Sequence, residues 1–472
     1  MNIIILLSSI VSIFYFLYFI YLFQIKEYRF DRIKVMIQEL GFFRFFINAP
    51  FKLPAKTFRN ILIGFISFSI YMYIYREVML TDNQMLILLL VLFAPFISFS
   101  IVSIGVIITS VLTNIKRRQI ILKAKQKVEK SKTVFIGITG SYGKTTTKEL
   151  LFNLLSTSFN AAKTDKNMNT DVGVALSILK NLNPDTEFFI TEMGAYRRGE
   201  IKTICDFVKP TYGIITGIGN QHLALFGSID NIIKTKAELL NSLPKNGKAY
   251  VSKDKGFDYF QNQATYPIIS FGSSHADITI KKILNDKIPT YKIEYKQNRF
   301  FLNTQIPSQF LTNLLPVITL SIDLGVSLKI ISQKIPAIIN DLYNQLVKVT
   351  KQGMKIIDTS YNVNVEGFIG IIELLQSFKT TNNIVISKGI IELGDDKESS
   401  YKRIIAKLDI SQAVLYTTDA IFYQLRNKEN IMFFNNEESM ISKIATYKPN
   451  ETSLTIVGRV SQKFRNKILN LL

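Results

Sequence analysis

From Ile3 to Phe23 the chain carries no charged residue, and no other feature constrains its fold as much. A helix rises about 1.5 Å per residue, so about 20 apolar residues span the hydrocarbon core of a bilayer. The run is therefore predicted to be a transmembrane helix. No basic residue precedes it and no small-residue cleavage site follows it, which sets it apart from a removable signal peptide. A second apolar run, Ile61 to Tyr75, ends at Arg76 and Glu77. The third, Met85 to Thr113, is longer than one crossing needs and is predicted to tilt or to kink near Pro95, whose ring crowds the preceding turn.

Charge orients these runs. Residues 24–60 and 114–132 carry +5 and +7 of a formal net charge of +21, and both flank apolar stretches. The short 76–84 connection has one basic residue against two acids. Basic flanks stay in the cytoplasm, so the sequence predicts a multi-pass protein of the cell membrane, with its N-terminus outside and everything after Lys116 in the cytoplasm. Lys116 to Lys132 reads as a basic helix near anionic headgroups or as a solvated linker helix. This distribution argues for membrane topology and against a nucleic-acid partner. The single cysteine, Cys205, excludes a disulfide framework and a thiolate zinc cluster, and reads as a buried packing residue. His222 and His275 are the only histidines, so any metal must rely on oxygen ligands.

After Lys132 short β-rich runs alternate with helical stretches, which predicts an α/β fold with a parallel sheet. Val134 to Thr139 reads as a strand, Gly140-Ser-Tyr-Gly-Lys-Thr145 as a turn, and Thr146 to Ser156 as a helix. A glycine turn feeding a helix with Lys-Thr at its start binds phosphate, because backbone N–H groups and the helix N-terminus face the anion. Gly140, Ser141, Tyr142, Gly143, Lys144, Thr145 and Thr146 are thus the predicted nucleotide loop. Lys144 would contact the β/γ-phosphates and the Thr145 hydroxyl would reach Mg²⁺. The longer G-x-x-x-x-G-K-[ST] pattern is not met, since Ile138 stands where its first glycine belongs.

The shorter pattern, T-G-x-x-G-K-T-T, resembles the Mur ligase superfamily, the ATP-dependent amide-forming enzymes of peptidoglycan synthesis, together with folylpolyglutamate synthases. The resemblance continues in order through Asn167-Met-Asn-Thr-Asp-Val-Gly173, Thr191-Glu-Met-Gly-Ala-Tyr-Arg-Arg-Gly-Glu200, His222-Leu-Ala-Leu-Phe-Gly-Ser228, Lys236-Ala-Glu238, Asp358-Thr-Ser-Tyr-Asn-Val-Asn364 and Ile391-Glu-Leu-Gly394. Within the family it is most similar to the branch that adds a D-alanyl-D-alanine dipeptide. The resemblance implies an ATP-binding central domain over 132–340 and a Rossmann-like C-terminal domain over 345–472. These follow a membrane region, 1–115, and a basic linker, 116–131.

It also implies the chemistry. A carboxylate is a poor electrophile, and ATP activates it as an acyl phosphate before an amine attacks. By resemblance Lys144, His222 and Lys236 are catalytic, and Thr145, Glu192, His222 and Lys236 serve Mg²⁺, with Lys236 carrying a carbamate. Read without the family, Glu192 is a surface or capping glutamate, His222 a packed histidine and Lys236 an ordinary exposed lysine. Asn169 and Thr170 are the implied substrate residues; Asn313 is implied to face adenine, and Asp358, Tyr361 and Asn362 to serve the nucleotide. His275 lies outside every motif and is read as structural.

The departures bear on the nucleotide. Where the family has Gly-x-His-Asn-x-x-Asn, this chain reads Ser308-Gln-Phe310-Leu311-Thr-Asn313, the arginine expected near the interdomain linker is Asn344, and the second Asp of Asp-Asp-Ser-Tyr-Asn is Thr359. The family's first domain, which holds a uridine diphosphate sugar, is replaced by membrane helices. The expected partners are ATP, an amino acid or dipeptide, the lipid bilayer, and a cell-wall precursor that is either a soluble nucleotide sugar or lipid-linked. Another γ-glutamyl-type ligase and a non-catalytic nucleotide-binding scaffold are the competing readings.

Overall fold

The computed structural model describes residues 2–47, 52–81, 83–219, 223–284, 288–306, 308–359, 365–390, 393, 396–426, 429–458 and 460–470. The chain divides into two compact units, Met1–Ile120 and Ile121–Leu472.

The first unit contains helices and, among the described residues, no strand. Its helices are Asn2–Ile25, Phe30–Leu40, Phe42–Ile47, Phe58–Leu80, Gln84–Leu92 and the start of Ala94–Glu129. Phe58–Leu80 and Ala94–Glu129 are long and apolar enough to cross a membrane; Ser9–Ile25 and Phe30–Gln38, bent by 106°, make a third candidate if the pair is one span. The bend has a local cause. Glu27 and Tyr28 both take positive φ, 57° and 56°, a conformation that L-residues adopt singly and that ends a right-handed helix.

The third apolar run departs from its expected form. It is two helices with a break at Phe93, and Pro95 lies in the first turn of the second, where its missing N–H leaves no intrahelical bond unmade. That second helix has 36 residues, about 54 Å of rise, and continues through Lys116, Arg117 and Arg118 to Glu129. The basic segment is thus an extension of the apolar helix. Inside the unit an aromatic cluster fills the space between helices, with ring centroids of Phe46 and Phe96 4.3 Å apart and of Phe19 and Phe99 5.2 Å apart.

The second unit is α/β, as the alternating pattern predicts. Its first sheet comprises, among the described residues, β1 (Val134–Thr139), β2 (Ala161–Lys163), β3 (Phe188–Glu192), β4 (Tyr212–Ile215), β5 (Lys248–Ser252), β6 (Ile268–Gly272), β7 (Ile278–Leu284), β8 (Thr290–Tyr295) and β9 (Asn298–Asn303), in the order β2-β3-β1-β4-β5-β6-β7-β8-β9. Strands β1 to β7 run parallel; β8 and β9 return as an antiparallel extension. β1 is central and buried along Phe135–Thr139, which is why it reads as a continuous apolar run.

The second sheet contains β10 (Val347–Val349), β11 (Lys355–Thr359), β12 (Asn382–Ser387), β13 (Val414–Thr417), β14 (Ile431–Phe433) and β15 (Thr452–Val457), ordered β10-β11-β15-β12-β13-β14. Among the described residues of this sheet only β10 pairs antiparallel. The helix Lys144–Leu155 buries Leu150, Leu151 and Leu154 against the fully buried helix positions Leu314, Leu315 and Ile318. Cutting one such leucine to alanine costs about 2–5 kcal/mol, so the phosphate loop is anchored at its rear. Phe310, one of the departures before Asn313, packs against both the core of the first sheet and that of the second, and Leu311 is fully buried.

Candidate active site

Strand register assembles the site. Ile138 of β1 pairs with Glu192 at the end of β3, and Thr139 with Ile215 of β4. The loop that leaves β1 therefore has Glu192 on one side and Thr216-Gly217 on the other. Gly140 has φ 149°, and a Cβ there would lie 1.9 Å from Thr216 Oγ1; at Gly143, φ 81°, it would lie 2.1 Å from Asn313 Oδ1. Neither position accepts a side chain. The Ser141 N–H donates to the Gly217 carbonyl at 2.9 Å and its hydroxyl to the Gly219 carbonyl at 3.1 Å. Tyr142 donates its hydroxyl to Asp254 at 2.7 Å. Burial, with Asp254 beside it, pushes that phenol upward, so it stays a donor.

Charged groups gather where the loop enters the helix Lys144–Leu155. Lys144 Nζ donates to the carbonyls of Gly140 and Ser141, at 2.8 and 3.1 Å. The Thr145 hydroxyl lies 3.0 and 3.1 Å from the two Glu192 carboxylate oxygens, and Asn169 Nδ2 donates to Oε1 at 3.0 Å. Lys148 Nζ is 3.1 Å from Glu192 Oε2, and both side chains are buried. Burial by itself would raise the Glu192 carboxyl; Lys148 and Lys144, with the Asn169 amide, outweigh it and hold the group below the usual carboxylate range. Lys144 is shifted downward, because desolvation exceeds the attraction of Glu192.

Lys236, on the helix Ile229–Leu240, is 3% exposed, and burial together with the neighbouring Lys144 brings it down to about 7. It opens with Gly140, Lys144 and Asn169 onto one small cavity of about 70 Å³. A buried amine that is half neutral at pH 7 is a nucleophile, which a surface lysine is not.

The structure thus brings together Gly140, Ser141, Lys144, Asn169 and Lys236 at the cavity, with Thr145 and Glu192 beside them. Thr146 continues the first turn of the helix. Asn313 sits against Gly143. The Thr170 hydroxyl caps the helix Asp171–Asn181 by accepting from the Gly173 N–H at 3.3 Å. Asp358 is held by Arg465, whose Nε is 2.6 Å from Oδ2. His222, Tyr361, Asn362 and most of Ile391–Gly394 lie outside the described residues. Asn344 is exposed, and Thr359 donates to the Ile456 carbonyl at 3.1 Å. His275 lies exposed in the turn before β7, at φ 50°, and Cys205 is buried. Sequence reasoning missed Lys148, Asp254 and Arg465. Only Lys148 left a local signal: it follows Lys144 by four residues, one helical turn, and so shares its face.

Residues 138–320 match the Mur ligase middle domain. The UDP-N-acetylmuramoyl-tripeptide--D-alanyl-D-alanine ligase of Rickettsia prowazekii (strain Madrid E) is 29% identical over 337 residues, covering 68% of this chain and 74% of its own. The protein of that name from Bacillus subtilis (strain 168) is 27% identical over 283 residues, with 59% and 61% covered. The chain thus spans between 61% and 74% of the length of these two relatives. In fold it is similar to the MurF ligase of Thermotoga maritima solved in complex with ADP, with a TM-score of 0.64 at 23% identity over 75% of this chain and 83% of that one. Sequence match and the short phosphate loop agree on one segment: residues 138–320 are similar to the Mur ligase middle domain.

Proposed function

We propose that the protein is an ATP-dependent, ADP-forming amide ligase that adds a dipeptide, D-alanyl-D-alanine, to a muramoyl-tripeptide precursor of peptidoglycan, working at the cytoplasmic face of a membrane crossed by its N-terminal helices. The observation that carries this reading is the joint position of Lys144, Thr145, Glu192 and Lys236 around one glycine-built loop. In it, the loop N–H groups and Lys144 grip the phosphates, and Lys144 stabilises the charge that develops on the transferring phosphoryl group. Substrate carboxylate and γ-phosphorus combine, ADP departs, and the dipeptide amine displaces phosphate from the acyl phosphate.

The residues fit a Mg²⁺ ion. Thr145 and an ionised Glu192 present adjacent hard oxygens beside the phosphate loop, the donor type this ion takes, and phosphate oxygens and water would complete its shell. When bound, it neutralises phosphate charge. Among the described residues no three His, Cys, Asp or Glu side chains cluster as a ready cation cage, so Lys236 as a carbamate would supply an oxygen donor that its own amine does not. Its neutral amine attacks CO₂ and loses a proton, and the product is an anion that no longer repels Lys144.

The test is ADP release by the full-length protein in liposomes with ATP, Mg²⁺ and D-alanyl-D-alanine, given either the soluble UDP-linked tripeptide or its lipid-linked form. Release that requires both acceptor and dipeptide is expected. The N-terminal helices favour the lipid-linked acceptor, since sharing a bilayer raises effective concentration; a faster reaction on the soluble form would reverse that preference. No release with either acceptor would leave the non-catalytic reading.

A further inference from the structure

Arg59 is the second residue of the apolar helix Phe58–Leu80, which starts at the Thr57 cap. Its guanidinium lies over the Tyr28 ring, 3.8 Å from the centroid, donates from Nη2 to Ser110 Oγ at 2.9 Å, and from Nε to Thr109 Oγ1 at 3.4 Å. Both hydroxyls spend their protons elsewhere: Thr109 donates to the Gly105 carbonyl at 2.9 Å and Ser110 to the Val106 carbonyl at 2.7 Å. They therefore meet Arg59 as acceptors. The Tyr28 ring is fixed in turn, its hydroxyl donating to Asn60 Oδ1 at 2.8 Å while Asn60 Nδ2 donates to Gln24 Oε1 at 2.9 Å.

This is a built seat, and its charge is unanswered. Of the five N–H groups of a guanidinium, these contacts use two, and among the described residues no carboxylate pairs with Arg59. The nearby acids are engaged by other cations, Glu27 with Arg32 at 3.0 Å and Asp31 with Arg29 at 2.6 Å. A cation at the end of a membrane-crossing helix reaches the headgroup level, where lipid phosphates are the anions at hand. The partner that fits a half-open guanidinium fork is a pair of phosphate oxygens. Around it Phe58, Ile61, Val111 and Leu112 are exposed, more than half of each side chain uncovered. A phosphate attached to hydrocarbon chains would cover them, and a free phosphate would not.

We propose that Arg59, Thr109, Ser110 and Tyr28 form a binding site for the phosphate of an anionic membrane lipid. The inference rests on the reading that these helices lie in a membrane, and it does not require the ligase reaction. Binding is measured on delipidated full-length protein in neutral detergent, without nucleotide, using phosphatidylglycerol, uncharged diacylglycerol and inorganic phosphate as probes. Phosphatidylglycerol should bind in preference to both others, and Arg59→Gln should weaken it about tenfold, the cost of one charge-assisted contact. Ser110→Ala should weaken it less, and Arg59→Lys, which keeps charge and loses the fork, should fall between wild type and Arg59→Gln. Arg118→Gln, which removes an exposed cation from the second basic flank, 114–132, controls for diffuse attraction. The site is overturned if Arg118→Gln loses as much as Arg59→Gln, if Arg59→Lys and Ser110→Ala both bind as wild type, or if inorganic phosphate binds as tightly as the lipid. Ligation is read separately, so a protein that binds lipid and makes no ADP would refute the enzyme and keep this site.

Discussion

Two cations sit in largely apolar surroundings, one in each unit, and they are neutralised in opposite ways. Lys148, fully buried behind the phosphate loop, has Glu192 at 3.1 Å, and that carboxylate is also held by Thr145 and Asn169. Arg59, in the helical unit, has two hydroxyls and an aromatic ring and, among the described residues, no carboxylate. The first arrangement is closed: every charge has its answer inside the chain, and the network holds Glu192 ionised and aimed. The second is open on one side. A sealed pair shapes a site, whereas a half-answered cation leaves donors open to a molecule from outside the chain.

The comparison is broken most forcefully at the phosphate loop. Lys144→Ala should lower ADP production about 10³-fold, by removing a charge directed at the transferring phosphoryl group; a variant with the wild-type rate would move the nucleotide elsewhere. The next largest effect tests closure itself. Lys148→Met removes the ion-pair partner of a buried carboxylate and should cost about 3–5 kcal/mol in chemical denaturation, with part recovered in the double variant Lys148→Met/Glu192→Leu. Arg59→Met, measured in lipid-free detergent, should cost about 1 kcal/mol, the scale of its two hydrogen bonds net of desolvation. Equal losses for Lys148→Met and Arg59→Met would erase the distinction between closed and open neutralisation.

Local chemistry made the core of this site legible, and non-local pairing hid the rest. Thr139-Gly-Ser-Tyr-Gly-Lys-Thr-Thr146 announces strand, turn and helix because glycine conformation and helix start are set within a few residues. That Glu192 stands beside Thr145 depends on the register of β1 with β3, some fifty residues apart, and only the family resemblance pointed there. β8 carries its own signal, since Thr290 to Tyr295 alternates polar and apolar residues and its side chains are alternately half-buried and buried. The basic segment after Thr113 looked like a new element because its charge changes; with no Gly or Pro from Val106 to Glu129, nothing in the backbone ends the helix. At Phe310 the reverse holds: the departure from the family pattern is visible in the sequence, but its place as a packing residue between two cores required the fold.

Lys236 lies between the two extremes, and its titration sharpens the comparison. It is buried like Lys148, yet like Arg59 it forms no ion pair among the described residues, and its partner across the cavity is the cation Lys144. Such a group answers its own charge by giving up the proton. Its folded value of about 7 lies below the unfolded lysine value, which is about 10.4. Between these values the unfolded chain holds more protons than the folded one, so stability rises with pH across that window; below it the penalty is fully present, and above it the penalty is gone. With bicarbonate excluded, wild type should gain about 1.4 kcal/mol relative to Lys236→Met on moving from pH 8 to pH 9, read as the difference in urea unfolding free energy. A difference that stays flat would mean that the amine keeps its proton. Bicarbonate added at pH 8 should then stabilise wild type and leave Lys236→Met unchanged, because a carbamate forms only on the folded protein's neutral amine and binding to the folded state alone shifts the equilibrium toward it.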